Sequence, residues 1–162
     1  MKITTTFSWL AGAVLCGLLG TAQAQVPQYG ANVTLEQARK VLAAAVADSR
    51  KQNLPMAVAI VDTAGQLVAF ERMDNTQTAS TFVAQDKAAS AAMFRRPTKA
   101  FQDAVASGGA GLRVLGLRGA NPVEGGLPIV VDGKIIGGIG VSGGTSEQDG
   151  VVAKTALEAL VK

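Results

Sequence analysis

The chain offers few side chains that could carry out acid–base, nucleophilic or metal chemistry. It contains no histidine, and its one cysteine is Cys16. The absence of histidine excludes Ser-His-Asp triads, histidine general bases and every metal site that uses imidazole. No serine, threonine or lysine has the sequence context of an activated nucleophile. The acids Asp62, Glu71, Asp74 and Asp86 do not have the spacing of a metal-binding motif. The sequence therefore predicts no catalytic residue and no metal site.

Glycines near the C-terminal end supply a different kind of candidate site. Successive strand residues point to opposite faces of a sheet, so Gly138, Gly140 and Ser142 should share one face with Ile136. Glycine inside a strand costs stability unless something must approach the backbone closely. The pattern predicts a nearly flat face on which either a planar ligand or an alanine-rich helix could lie. Gly138, Gly140 and Ser142 are candidate ligand-binding residues on this basis.

Two further segments could hold an anionic group. In the run Arg95-Arg96-Pro97, Arg96 could reach an acidic group of a ligand, or the arginines could complement the negative end of a helix dipole. Residues 142–146 precede a predicted helix and could bind an anion through free N–H groups. An ordinary helix cap explains the same residues, and we favour the cap there. Both alternatives stay open for Arg96.

The first 24 residues are predicted to be a cleavable secretory signal. Lys2 gives a positive start, residues 9–19 are apolar, and small residues stand at the −3 and −1 positions before Gln25. The apolar run is shorter than the roughly 20 residues that cross a bilayer. Cleavage would remove Cys16 and lower the net charge from +3 to +2, with no stable membrane anchor left. We expect a periplasmic or secreted protein, and the mild charge gives no support for nucleic-acid binding.

Residues 25–162 are predicted to form one domain of helices and hairpins. A capping box of Thr34 and Gln37 begins the first helix, which runs to about Lys51. Strand 56–61 is apolar on both faces and should be covered on both sides. The other predicted elements are strand 66–72, helices 78–94 and 98–106, a glycine-rich loop over 107–126, a hairpin of strands 127–131 and 134–142, and a last helix capped by 146–149. Hairpins in this order predict an α+β domain with an antiparallel sheet.

Several ordered blocks of the sequence resemble the GlcG/HbpS haem-binding family. They extend over about residues 33 to 162, which is nearly the whole predicted domain. The blocks are Thr34-Leu35-Glu36-Gln37-Ala38-Arg39-Lys40, Val58-Ala59-Ile60-Val61-Asp62 with Gly65, Ala69-Phe70-Glu71-Arg72-Met73-Asp74, Phe94-Arg95-Arg96-Pro97-Thr98, Gly125-Gly126-Leu127-Pro128-Ile129, and Ile139-Gly140-Val141-Ser142-Gly143 with Glu147-Gln148-Asp149. The resemblance implies a profilin-like α/β/α fold, with about five antiparallel strands between helices, and homo-oligomers.

The resemblance also implies haem or a related tetrapyrrole as the ligand of some members. A histidine ligand to haem iron is impossible in this chain, so the candidates that remain are a threonine oxygen, Met56, Met73, Met93, Tyr29 or a lysine such as Lys87. Met93 and Lys87 are six residues apart on one predicted helix, so only one of them could meet a given haem. The alternative is that Met93 belongs to the core and Lys87 is a surface charge.

We therefore expect an exported small-ligand-binding protein, with haem as the first ligand to test. The candidate ligand-binding residues are Arg96, Met93, Lys87, Gly138, Gly140 and Ser142. One alternative is a metal-independent enzyme or accessory protein in catabolism of the glycolate or diol type, which would need Arg96 to converge with Asp62 or Glu71. Another alternative is a protein with a purely structural role, in which the glycine face and the alanine-rich helix form contacts between subunits.

Overall fold

The structure is a computed structural model that describes residues 26–160, so the predicted signal peptide lies outside the described residues. Five strands and four α-helices follow one another with two short 3₁₀ helices. Their bounds are β1 Gln28–Tyr29, α1 Leu35–Lys51, β2 Ala57–Val61, β3 Leu67–Arg72, α2 Ser80–Phe94, α3 Lys99–Ala106, a 3₁₀ helix Gly109–Gly116, β4 Gly126–Val131, β5 Lys134–Ser142, α4 Ser146–Leu157 and a second 3₁₀ helix Glu158–Leu160. In this part of the chain, no helix combines the length and apolar character needed to cross a membrane.

The first helix begins where the capping box predicts. The Gln37 backbone N–H donates to the Thr34 hydroxyl at 3.2 Å, and the Thr34 N–H donates to the Gln37 side chain at 2.9 Å. These two bonds satisfy donors that a helix start would otherwise leave without partners. The helix then ends at Lys51, as predicted.

The five strands form one sheet with β5 at its centre. β4 pairs antiparallel with one edge of β5, β2 pairs antiparallel with the other, and β3 continues the sheet beyond β2. The short β1 pairs parallel with the beginning of β5, and the sequence did not indicate this parallel pairing. The mixed α+β fold with a five-stranded, largely antiparallel sheet is confirmed.

A register shift in the β4–β5 hairpin changes the expected face of one residue. Ile129 pairs with Gly137 and Val130 pairs with Ile135, so Ile136 is an extra residue in β5. A bulge of this kind breaks the alternation of side chains along a strand. Ile136 therefore packs in the core on the face opposite Gly138. The expectation that it shares the glycine face is wrong.

Helices cover both faces of the sheet, which gives the α/β/α layers. On one face, α1 and α4 pack with Met56, Val58 and Ile60 of β2 in the larger core cluster. On the other face, α2 packs with Ala57, Ala59 and Val61 of the same strand. All five residues of β2 are buried, which confirms the prediction that this strand is covered on both sides.

The segment 107–126 is more ordered than the predicted loop. Its first half forms the 3₁₀ helix Gly109–Gly116, which packs against α3. Its second half is tied to α2 and α3, because the Asn121 N–H donates to the Ser90 hydroxyl at 2.9 Å and the Glu124 N–H donates to the Gln102 side chain at 2.8 Å. The segment therefore lies along the C-terminal half of α2.

Candidate functional site

A shallow groove lies over the outer side of α2. Asp86, Ala89 and Met93 recur at helical spacing and form its floor, and the 119–121 segment forms one wall. We call this site the Met93 groove; it is lined by Asp86, Ala89, Met93, Gly119, Ala120 and Asn121 and encloses about 330 Å³. Phe82 stands one turn beyond Asp86 on the same side of the helix and is 66% exposed.

The Met93 side chain fits between two glycines in left-handed conformations. A Cβ atom at Gly65 would lie 3.3 Å from the Met93 sulfur, and one at Gly119 would lie 3.4 Å from its terminal methyl. Both glycines have positive φ angles, 79° and 84°, which larger residues rarely adopt. Met93 is nevertheless 42% exposed, so part of its side chain lies at the open surface of the groove.

The chain turns sharply after α2 and thereby separates Arg95 from Arg96. Arg95 adopts the left-handed conformation at the helix C-terminus, and its guanidinium lies 5.5 Å from the centre of the Tyr29 ring. The Tyr29 hydroxyl donates to the carbonyl oxygen of Met93 at 2.8 Å. It thereby gives a hydrogen-bond partner to one of the carbonyl groups that the C-terminus of a helix leaves free. Arg96 points the other way, with its guanidinium 5.6 Å from the centre of the Phe101 ring.

Arg96 and Arg113 line a second cavity between α3 and the first 3₁₀ helix. Its other lining residues are apolar or small and include Phe101, Val114 and Leu117. We call this cavity, of about 440 Å³, the arginine pocket. Phe101 is buried and makes an edge-to-face contact with Phe94 at 5.1 Å, which fixes the corner between α2 and α3. Arg96 thus lies in a different cavity from Met93.

Lys87 lies inside the protein, on a different side of α2 from Met93. Its side chain is 1% exposed; the ammonium contacts the Asp149 carboxylate at 2.7 Å and the Val141 carbonyl oxygen at 3.1 Å. The other carboxylate oxygen accepts from the Gly144 N–H at 3.0 Å. Burial raises the pKa of the Asp149 carboxyl, while the Lys87 ammonium and the Gly144 N–H act to lower it. The alternative that Lys87 is a surface charge and Met93 belongs to the core is wrong for both residues.

The glycine face is covered by α2. A Cβ atom at Gly138 or Gly140 would overlap the main chain of α2 near Ala88 and Ala84. The Ser142 hydroxyl, almost fully buried, donates to the Ser80 hydroxyl at 3.1 Å. Of the two occupants that the sequence leaves open, the structure places the alanine-rich helix on this face. No space remains there for a planar ligand.

The segment 142–146 serves as a helix cap, as we favoured, with Thr145 as the capping residue. The Gln148 N–H donates to the Thr145 hydroxyl at 3.3 Å, and the Thr145 N–H donates to the Gln148 side chain at 2.9 Å. Gly144 donates its N–H to Asp149 instead of to an external anion. These donors are therefore used within the chain.

The residues of the enzymatic alternative do not converge. Asp62 accepts the N–H groups of Ala64 and Gln66, both at 2.9 Å, and so holds the β2–β3 turn. Glu71 lines a separate surface cavity with Arg72, and neither residue lines the arginine pocket. Among residues 26–160, no cluster of three or more acidic, cysteine or histidine side chains could hold a metal ion.

Two residues of interest were missed in the sequence. Asp149 has the position of an ordinary acidic residue in the first turn of a helix, which is favourable on the surface. The only indication of its burial is weak: Gly125 leaves space for it, since a Cβ atom there would lie 2.8 Å from both the Asp149 Cβ and the Lys87 Nζ. Arg113 lies in the segment predicted as a loop, where no periodic pattern indicates a partner.

Two curated proteins resemble most of this chain. A 15.0 kDa protein of Citrobacter freundii, from the dhaT–dhaS intergenic region, is 37% identical over 130 residues, which are 79% of this chain and 92% of that protein. Protein GlcG of Escherichia coli K12 is 39% identical over 107 residues, or 66% of this chain and 78% of GlcG. The similarity thus extends over most of each relative.

A solved structure and a family model agree with these relatives. The crystal structure of a PduOC–haem complex superposes with a TM-score of 0.72 at 30% identity, covering 79% of this chain and 94% of that one. The family model described as haem degrading protein, HbpS-like, matches residues 33–158. Because this match takes in most of the chain, and because GlcG is similar to it, the chain belongs to the GlcG/HbpS family.

Proposed function

We propose that this chain is an exported protein that binds haem or a related tetrapyrrole in the Met93 groove. The proposal is supported by a related structure, 30% identical, that was solved in complex with haem. It is also supported by the groove, in which Ala89 and Met93 of α2 offer apolar surface beside Asp86 and the Met93 side chain is partly exposed. Met93 would bind the iron in place of the missing histidine.

The position of Met93 is the observation that carries this proposal. Of the other candidate iron ligands, Met56 is fully buried and the Lys87 ammonium is paired with Asp149. Met73 packs against the core on the far face of the sheet, and the Tyr29 hydroxyl donates to main-chain oxygens of α2. No threonine lines the groove. Met93 therefore combines a partly exposed thioether side chain with a concave surface.

The donor set fits haem in its chemistry. A methionine thioether is an established axial ligand of haem iron. Ala89 and Phe82 would provide apolar contact to the macrocycle, and the wall beside Met93 consists of the small residues Gly119 and Ala120 together with Asn121. A haem held there would supply a redox-active iron. The chain's own contribution is to orient the ring on α2 and to shield one face of it from water.

Titration with hemin tests the proposal. The purified protein should give a shifted Soret band with a defined stoichiometry. Met93→Leu conserves volume and folding but removes the sulfur, so it should change the spectrum of the reduced complex and weaken binding by about tenfold. Met73→Leu is the matched control and should leave both unchanged. A wild-type spectrum identical to that of free hemin mixed with a nonbinding protein would refute haem binding; an unchanged Met93→Leu spectrum would refute the ligand assignment.

Export forms a separate part of the proposal. It is supported by the positive start, the apolar run and the small residues before Gln25. The protein isolated from its native cells should be found outside the cytoplasm and should begin at Gln25. Intact-mass measurement together with cell fractionation checks this. A cytoplasmic protein that keeps Met1 to Ala24 contradicts it.

We also propose that the protein forms a homo-oligomer. The support is a set of exposed apolar side chains on the segment after α3, namely Leu112, Leu115 and Val123. Exposed apolar surface of this kind commonly marks interaction sites. Native mass measurement with and without hemin should give a mass of several chains, whereas a monomer under both conditions contradicts the proposal.

A further inference from the structure

We propose that the arginine pocket is a second ligand site, specific for a small carboxylate with an apolar body. It lies between α3 and the 3₁₀ helix Gly109–Gly116, and it is distinct from the Met93 groove. The proposal goes beyond haem binding and does not depend on it.

The pocket carries two positive charges and no negative one. Arg96 and Arg113, both exposed residues, line it, and no acidic residue is found among its lining residues. The one acidic residue of α3, Asp103, is paired with Lys99 at 2.8 Å. Two positive charges beside one cavity raise the local concentration of anions there. The cavity therefore favours a negatively charged ligand.

The shape of the guanidinium group favours a carboxylate. Arginine binds planar carboxylates through two parallel N–H···O bonds. Arg96 uses its Nε–H to donate to the Phe94 carbonyl oxygen at 3.2 Å and stacks on Phe101, so its position is set by the α2–α3 corner. Arg113 has no hydrogen-bond partner among the described residues and projects from the 3₁₀ helix. One arginine is thus fixed, and the other can adjust to the ligand.

The walls of the pocket favour an apolar body over inorganic phosphate. Phe101, Val114 and Leu117 line it together with alanines of α3, and its volume of about 440 Å³ is in the range of small-molecule sites. A bare phosphate would leave this apolar surface in water. No methionine, tyrosine, lysine or threonine lines the cavity, so a haem there would gain no axial ligand from these residues. A metal-free amphiphilic acid fits both features.

Titration with octanoate, in the full-length purified protein, tests the proposal. We expect saturable binding at one site per chain, with backbone NMR shifts confined to α3 and the 3₁₀ helix. Arg113→Gln should weaken octanoate binding at least about tenfold, because it removes a charge-assisted hydrogen bond. Arg118→Gln is the matched control, since it removes the same charge five residues later, outside the pocket lining, and should change affinity less than about twofold.

Comparisons among ligands and among variants decide the outcome. 1-Octanol and inorganic phosphate should each bind at least about tenfold more weakly than octanoate. Octanol lacks the carboxylate that the arginines bind, and phosphate lacks the apolar chain that contacts the walls. Met93→Leu should leave octanoate binding unchanged, and Arg113→Gln should leave the hemin spectrum unchanged. The proposal is overturned by the absence of octanoate binding at millimolar concentration, by equal binding of octanol, or by equal effects of Arg113→Gln and Arg118→Gln. None of these outcomes bears on haem binding.

Discussion

The inner and outer sides of α2 both carry alanine but have opposite surroundings. On the inner side, Ala84, Ala88 and Ala92 lie directly on the glycines of β5, and all three are fully buried. On the outer side, Ala89 lies beside the exposed Met93 in an open groove. Alanine content alone therefore does not show which side of a helix is packed. Which side of the helix packs depends on the residues of the sheet that it contacts. Here Gly138 and Gly140 allow the backbones of α2 and β5 to approach closely.

The largest expected effect comes from closing the space between the inner side of α2 and β5. In Gly140→Ala, the added Cβ atom would overlap the main chain near Ala84 and push the helix off the sheet. We expect a loss of more than about 3 kcal/mol in the free energy of unfolding, or no folded protein at all. Chemical denaturation measures this. Gly116→Ala is the control, since an added Cβ meets no atom within 4 Å there, and it should change stability by less than about 0.5 kcal/mol.

The next effect concerns the buried ion pair on the inner side. Asp149→Asn keeps an acceptor for the Gly144 N–H but leaves the Lys87 ammonium without a countercharge. We expect a loss of about 3–5 kcal/mol, as for other broken buried pairs. Adding Lys87→Met should recover much of it, because the uncompensated charge is then gone. Asp103→Asn, which breaks the exposed pair with Lys99, should leave the thermal midpoint unchanged. Equal effects of Asp149→Asn and Asp103→Asn would show that burial does not distinguish the two pairs.

A matched pair of substitutions compares the two sides at adjacent positions. Ala88→Leu places three further carbons in the close contact between α2 and β2, and should cost about 1–3 kcal/mol. Ala89→Leu adds the same atoms in the groove and should change stability by less than about 0.5 kcal/mol. The second variant should instead weaken hemin binding, because it fills the groove. Denaturation and hemin titration of both variants test this; a stability loss as large in Ala89→Leu as in Ala88→Leu would contradict the comparison.

The smallest expected effect is that of Met93→Leu on stability. The side chain lies between Gly65 and Gly119 and is 42% exposed, so a side chain of similar volume should fit. We expect a change of less than about 1 kcal/mol in the free energy of unfolding. A much larger loss would mean that Met93 is a packing residue, which would weaken its assignment as an iron ligand.

Local sequence determined most of the elements of this protein. The capping box at Thr34, the full length of α1 and both strands of the β4–β5 hairpin follow from residues that interact within a few positions of one another. The Asp132-Gly133 turn has positive φ angles at both residues, as a tight hairpin turn of this kind requires. The two apolar faces of β2 likewise predicted its burial, because a strand covered on both sides has no need of polar residues.

Only the tertiary structure decided the environment of the candidate residues. Lys87 and Asp149 are 62 positions apart, and neither one indicates the other in the sequence. The bulge at Ile136 depends on the pairing of β5 with β4. The exposure of Met93 depends on which side of α2 packs against the glycines of β5. Hydrogen bonds between near neighbours determine elements, whereas burial and charge pairing depend on contacts between distant segments. The sequence therefore determined which elements form, and the packing of α2 on β5 determined that Lys87 is buried and Met93 remains exposed.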